Sequence, residues 1–459
     1  MINIIKLLKK NKYKFIVFGL IIFFIAFFGM WNVVSGGYDK QNKTILLLKK
    51  FIPTKVARKI RDTIFIIPDL KERNRFLELV MKKNDQGLDG EIFNERTILS
   101  RKDHTEYLLK EFFIPFRRLD SRLGWASSKN TVRKHYLEIV KDKVILISGE
   151  GQTIYFDKKN IFKEKLNQIN IPNNLNKILD KNKFEPMGIR DLFVEDEKVY
   201  ISLYFKNSKG YSMNIYAANL NYNKLDFELF FESNEFWKNY TVRTGGRIEK
   251  YKNNKILLSV GDASTKKAAQ DLNSLLGKII SINKTSGLHE IVSAGHRNPQ
   301  GLLYDKELDI IINSEHGPKG GDEINVNFQN SNELQNYGWD ISSYGTEYNG
   351  EDIYEKSHSK FGFIEPFKYY NPSIGISEIV LINNKTNQDN EKYIITSSLR
   401  AGSIYIIKTD QKINKILHED RIFFPQQRIR DLKYDEENHT LFLLFESIPS
   451  LGILNLKTK

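Results

Sequence analysis

The sequence predicts an all-β chain: a six-bladed β-propeller preceded by an N-terminal transmembrane helix and a short helical stalk. Three observations predict it. Phe15–Val34 is a run of 20 uncharged residues, the length a helix needs to cross a bilayer core. From about Glu106 onward the chain reads as short runs of β-branched and aromatic residues divided by turns. Within those runs one pattern recurs, a loop, a strand, an acidic turn and a second strand.

The anchor comes first. Lys6, Lys9, Lys10, Lys12 and Lys14 precede the span and favour a cytoplasmic N-terminus, with the bulk of the chain in the periplasm or outside the cell. Lys40, Lys43, Lys49 and Lys50 weaken that bias, but long C-terminal domains translocate largely regardless of such charges. A cleaved signal peptide would carry a shorter apolar core and a small-residue cleavage site, so the segment reads as uncleaved. The expected bounds are a basic tail at 1–14, the span at 15–34, a helical stalk at 35–103 and the propeller at 104–459. Pro68 interrupts the stalk, and Asp69 is placed to cap its second helix. Lys55, Arg58, Lys59 and Arg61 either touch anionic headgroups or form a solvated helix face.

The repeats follow. G-I-R-D-L at Gly188–Leu192 leads to K-V-Y-I-S-L-Y-F, and R-I-R-D-L at Arg428–Leu432 leads to T-L-F-L-L-F. Weaker copies sit at Glu138, Arg247, Gly301 and Glu378. Counted with Arg190 and Arg430, the six landmarks lie 52, 57, 54, 77 and 52 residues apart. Repeats near 50 residues, each holding several strands, are the sequence form of propeller blades, which bury both faces only by stacking. The long interval holds Asn336–Trp339 and a loop through His358, and reads as an insertion. Each landmark then falls near the start of an inner strand, so Arg190, Arg247, Arg430 and the loop of Arg297 converge on the channel. Gathered guanidinium groups repel and need anions, either Asp191 and Asp431 or a bound ligand.

Composition narrows the function. Hydrophobic residues make up 41% of the 459 and aromatics 12%, enough for a sizeable core. There are no cysteines, which excludes disulfides and thiolate metal centres. The formal charge of +14 comes from lysines spread through an Asn- and Ile-rich chain, without an arginine/aromatic recognition module, so nucleic acid is not an expected partner.

The densest polar signals are G-H-R-N-P-Q-G at Gly295–Gly301, E-H-G-P-K-G-G-D-E-I-N at Glu315–Asn325 and N-Y-G-W at Asn336–Trp339. They read as ligand-holding loops on a rigid scaffold. G-G-R-I at Gly245–Ile248, L-L-G-K at Leu275–Lys278 and S-L-R-A-G at Ser398–Gly402 join them. In this order the motifs resemble the glucose/sorbosone dehydrogenase family, soluble quinoprotein sugar dehydrogenases that are six-bladed propellers holding pyrroloquinoline quinone (PQQ) and calcium. The resemblance implies that Arg297 and Asn298 contact the quinone, together with Arg400, Arg428 and Arg430. It implies that the carbonyls of Gly317 and Pro318 ligate calcium, with Asp322 and Glu323 supporting that loop or binding a separate ion.

One position departs from the family. Members that oxidise sugars carry a base histidine just before G-G-R, where this chain has Arg243. Arginine stays protonated and is no base. His296 and His316, within the site loops, read as structural, Asp262 reads as a turn cap, and most remaining histidines read as surface residues. The expected function is a membrane-anchored, extracytoplasmic dehydrogenase that oxidises an aldose at C1 and passes electrons to a respiratory acceptor. The alternative is a non-catalytic propeller that binds a sugar, an acidic glycan or a partner protein at the same mouth.

Overall fold

The computed structural model describes residues 90–116, 134–178, 185–265, 267–330, 333–383, 391–425, 427–447 and 449–456. The predicted transmembrane helix, and the predicted stalk up to residue 89, lie outside these. Six sheets of four or five strands, antiparallel except for one short parallel pair, form among the described residues. Their inner strands are His135–Val140, Glu185–Glu195, Gly245–Tyr251, Pro299–Asp305, Ile376–Asn383 and Ile429–Asp435, which pack side by side in a closed ring. Every predicted landmark lies on one of them, and the six-bladed propeller expected from the spacing is what the chain forms.

The boundary at residue 104 is corrected. Ile92–Leu99 and Glu106–Phe113 are strands, and the second pairs with the C-terminal strand Ser450–Asn455. The last blade therefore needs both parts of the chain, which places the end of the predicted stalk in the propeller. A lone strand of mixed polarity such as I-F-N-E-R-T-I-L carries no helix-breaking signal, and only the pairing partner defines it.

The middle strands explain the absence of polar alternation. Thr440–Phe445 and Lys143–Ser148 are buried almost throughout, because each blade has a neighbour on both faces. Ile145 and Ile147 of the first blade meet Ile201 and Leu203 of the second, and Phe442 and Leu444 of the last close back on Leu146 and Phe156 of the first. Each fully buried aliphatic or aromatic side chain contributes about 1.5–3 kcal/mol. The long fourth interval is an insertion as expected. Gln335–Asn336 leaves the fourth blade and adds to the third beside His289–Ala294, before Lys368–Tyr370 returns to complete the fourth.

Five of the six inner strands carry a bulge near their start, at Pro186/Gly188 with Ile189/Asp191, Gly245/Ile248, Pro299/Gly301, Ile376/Ile379 and Ile429/Asp431. A bulge re-aims side chains, and here it lies at the landmark residues. Gly246 is required at its bulge: its φ is +110°, and a Cβ there would sit 2.4 Å from the Cβ of Arg190.

Candidate functional site

The R-D pairs knit the ring. Asp191 accepts the backbone N–H of Ile248 at 2.7 Å, and Asp431 accepts that of Leu137 at 2.8 Å, each reaching another blade. Between them lies Arg247. Its Nη1 is 2.8 Å from Asp191, 2.7 Å from Glu378 and 3.1 Å from Asp431, its Nε donates to the carbonyl of Gln300, and the guanidinium lies over Tyr136. For Arg247 the first of the two expected alternatives holds: Asp191 and Asp431, joined by Glu378, surround its guanidinium and make it the hub of the channel. Burial and the surrounding carboxylates push Glu378 and Asp191 upward in pKa.

Above this hub the predicted quinone residues come from the last three blades. Arg297 donates through its backbone N–H to Glu315 at 2.8 Å and through Nη1 to the carbonyl of His316 at 2.9 Å. It lies over the Trp339 ring, and its buried Nε has no hydrogen-bond partner. Burial and then Arg243 lower its pKa. The side-chain oxygen of Asn298 accepts from Gln300 and from the N–H of Gly245. Gln300 also accepts from Arg430 Nη1 at 3.2 Å, so one chain of hydrogen bonds joins the fourth and sixth blades. Arg430 and Arg428 share a single carboxylate, Glu446, at 2.6 and 3.1 Å. Despite burial, those two guanidinium groups hold Glu446 down to about 2. Arg428 also donates to the carbonyl of Leu399, beside the exposed Arg400, whose Nη1 donates to the carbonyl of Ser373. Gly375, at φ +66°, makes room for Arg400: a Cβ there would sit 2.9 Å from the backbone N of Arg400. Side-chain hydrogen bonds through Gln300 and Glu446 thus link Asn298, Arg430 and Arg428, with Arg297 beside Asn298 in the chain and Arg400 beside the Leu399 whose carbonyl Arg428 meets.

The first three blades add Lys134, Arg190 and Arg243. Arg190 donates to Thr244 Oγ1 and to the carbonyls of Gly188 and Ile189, over the Tyr204 ring. Arg243, at the position of the family's base, is clamped: Nη1 lies 2.9 Å from Asp262 and Nε 2.9 Å from Ser264 Oγ. Asp262 does cap its turn, through the N–H of Ser264, but it also accepts from Arg243 and from the Trp339 indole at 2.7 Å. The L-L-G-K lysine secures the loop that carries Asp262, with the buried Lys278 ammonium donating to the carbonyls of Ala268 and Leu276.

The predicted calcium loop is tightly built. Asp322 takes the N–H groups of Gly317, Gly375 and Ile376, so its carboxylate ties the fourth blade to the fifth and has little left for an ion. The carbonyl of Pro318 accepts from Ser373 at 3.3 Å. Beside the loop is a small hollow lined by Arg297, Glu315, His316, Gly317, Glu323 and Trp339 among others. Glu315 and Glu323 face each other across the two strands, and burial with Glu315 pushes Glu323 well up in pKa. Among the described residues no group of three or more His, Asp or Glu side chains forms a metal cluster. A hard cation there would rest on backbone oxygens and one or both of these glutamates.

His296, bonded to Ser293, is buried and His316 is half-buried, and desolvation lowers His316 to about 4. His135 and His358 are buried as well, exceptions to the surface position of most remaining histidines, because they pack beneath Phe116 and Tyr344. Sequence reasoning missed Lys134, Glu446 and the Arg243–Asp262–Trp339 contact. Lys134 stands directly before the first inner strand, a position that the repeat spacing marks. Glu446 and Trp339 gain their roles only from contacts distant in sequence.

Fold and mouth together define a six-bladed propeller with a cation-lined opening to its central channel. The chain belongs to the glucose/sorbosone dehydrogenase family, whose model matches residues 186–449. It is similar to the aldose sugar dehydrogenase YliI of Escherichia coli, 28% identical over 218 residues (44% of this chain, 57% of that one), and to an uncharacterized protein of Synechocystis, 26% identical over 281 residues (56% and 66%). The matched stretches span less than two thirds of those relatives. A crystal structure of a glucose dehydrogenase and one of the soluble aldose sugar dehydrogenase from Escherichia coli share the fold. Each has a TM-score of 0.56, at 19% and 20% identity, covering 70% of this chain and 96% of the other.

Proposed function

We propose that this chain is a membrane-anchored, extracytoplasmic quinoprotein sugar dehydrogenase that oxidises an aldose at C1 and hands electrons to a respiratory acceptor. The observation that carries the reading is the group Arg297, Arg400, Arg428 and Arg430, of which, among the described residues, only Arg428 and Arg430 pair with a carboxylate, their shared Glu446. PQQ fits that set, because its carboxylates suit guanidinium donors and the buried Nε of Arg297 lacks a partner. When bound, it supplies the hydride acceptor. Arg297 and Asn298 would orient it, while Arg400, Arg428 and Arg430 would hold its charge. Calcium would rest on the carbonyls of Gly317 and Pro318, with Glu323 nearby. General-base catalysis is typically worth ~10²–10⁴ in rate, and Arg243 cannot provide it, so turnover is slow.

The test is reconstitution of the full chain with PQQ and calcium, following quinone binding by absorbance and dye reduction with several aldoses. Absence of quinone binding overturns the proposal. The Arg243–Asp262 pair favours a second reading, a non-catalytic propeller that binds a sugar, an acidic glycan or a partner at this mouth. That reading predicts ligand binding without turnover.

A further inference from the structure

The two halves of the mouth are both cationic, yet the quinone residues occupy only one. Arg297, Arg400, Arg428 and Arg430 belong to the fourth, fifth and sixth blades. Lys134, Arg190 and Arg243 belong to the first, second and third, and the quinone assignment gives them no task. Among the described residues the Lys134 ammonium has no hydrogen bond and no ion pair. Its electrostatic neighbours are mostly cations, and burial followed by Arg190, Arg430 and Arg247 lowers its pKa well below the usual lysine range, with only Glu446 opposing. Arg243 spends Nη1 on Asp262 and Nε on Ser264, and its Nη2 has no partner among the described residues. Next to Arg190 stands the ring of Tyr240, 40% exposed and 6.4 Å from the Tyr204 ring that Arg190 covers. Cations gathered at a partly buried mouth raise one another's energy, and an anion relieves all of them. An exposed aromatic face next to donors suits the apolar face of a sugar ring.

We propose that Lys134, Arg190 and Arg243, with Tyr240 as a wall, form a subsite for the carboxylate or phosphate of an anionic sugar. This names the substrate class of the proposed dehydrogenase and rests on that reading only for calling the ligand a sugar. It also assigns Arg243 a task at a position where it cannot be a base: its free Nη2 reads the anionic group while Asp262 fixes the guanidinium in place.

The experiment measures binding of D-glucuronate, D-glucose 6-phosphate and D-glucose to the full chain by isothermal titration calorimetry, without quinone, at low and at about 0.5 M salt. One or both anionic sugars should bind at least about tenfold more tightly than glucose, the scale of a charge-assisted hydrogen bond. Which of the two gains more separates carboxylate from phosphate. The preference should shrink at high salt and fall to about threefold or less in Lys134→Met and in Arg243→Gln, with circular dichroism confirming that each variant is folded at the assay temperature. Equal binding of glucose and both anionic sugars overturns the proposal. So does a preference that both variants retain. Quinone binding is measured separately: its loss with the preference intact removes the dehydrogenase reading and leaves the subsite, and the reverse result removes the subsite alone.

Discussion

Glu446 offers the sharpest quantitative test of the mouth. Its carboxylate is buried, takes Arg430 Nε at 2.6 Å and Arg428 Nε at 3.1 Å, and is held at about 2 instead of the ordinary 4.5. At 1.36 kcal/mol per pH unit that gap corresponds to about 3 kcal/mol of folding stability. This is a ceiling, because Arg428 is 46% exposed and water screens its share. Since the folded carboxyl titrates below the unfolded one, the contribution is fully present above pH ~4.5 and disappears as the pH falls to ~2. Glu446→Gln should therefore lower stability by ~2–3 kcal/mol at pH 7, read by urea denaturation, and the two proteins should converge near pH 2. The variant also leaves two guanidinium groups without a carboxylate, so a tricarboxylate such as citrate should raise its melting temperature more than that of the parent. A variant within about 0.5 kcal/mol of the parent at pH 7, or a difference that persists at pH 2, refutes the reasoning.

Three further outcomes follow from the same contacts. Arg243→His places an imidazole beside Asp262, and dye reduction by the PQQ-loaded protein should rise ~10²-fold or more. The gain should be lost again in the Arg243→His/Asp262→Asn double variant, and unchanged turnover in a quinone-binding single variant would show that Arg243 is not what limits the rate. Arg247→Met leaves Asp191, Glu378 and Asp431 facing one another, and should cost ~3–5 kcal/mol in chemical denaturation. Glu249 lies in the channel and burial raises it to about 8, above its unfolded 4.5, so its contribution is present below pH ~4.5 and lost as the pH rises toward 8. Glu249→Gln should accordingly melt higher than the parent at pH 8 and match it at pH 4.

The ring was legible because its repeats are spelled in residues that face the channel. Glu138, Arg190, Arg247, Gly301, Glu378 and Arg430 each fall on an inner strand, and the interval of 77 residues is the insertion that strengthens the third blade. What those residues do there was less legible. Arg190 and Arg247 occupy matching places in successive repeats, yet one donates to carbonyls near the mouth and the other is caged by carboxylates below it. The carbonyls that Arg190 meets belong to its own chain neighbours, whereas the cage of Arg247 comes from Asp191 and Asp431, 56 and 184 residues away. The family histidine's replacement was visible as a letter, but its clamp to Asp262 and Ser264 was not. Ile92–Leu99 went unrecognised because an edge strand with mixed polarity has no period of its own.

That outer strand has a consequence for how the molecule is made. Glu106–Phe113 is made before the blades that separate it from its partner, and Ser450–Asn455 is made after them. Until then the nascent protein holds an open ladder whose unpaired amides invite another chain, and joining it demands one of the most distant pairings the sequence contains. Circular closure of this kind makes assembly slow at its final step. It also makes loss of either of these two strands a lesion of the whole wheel.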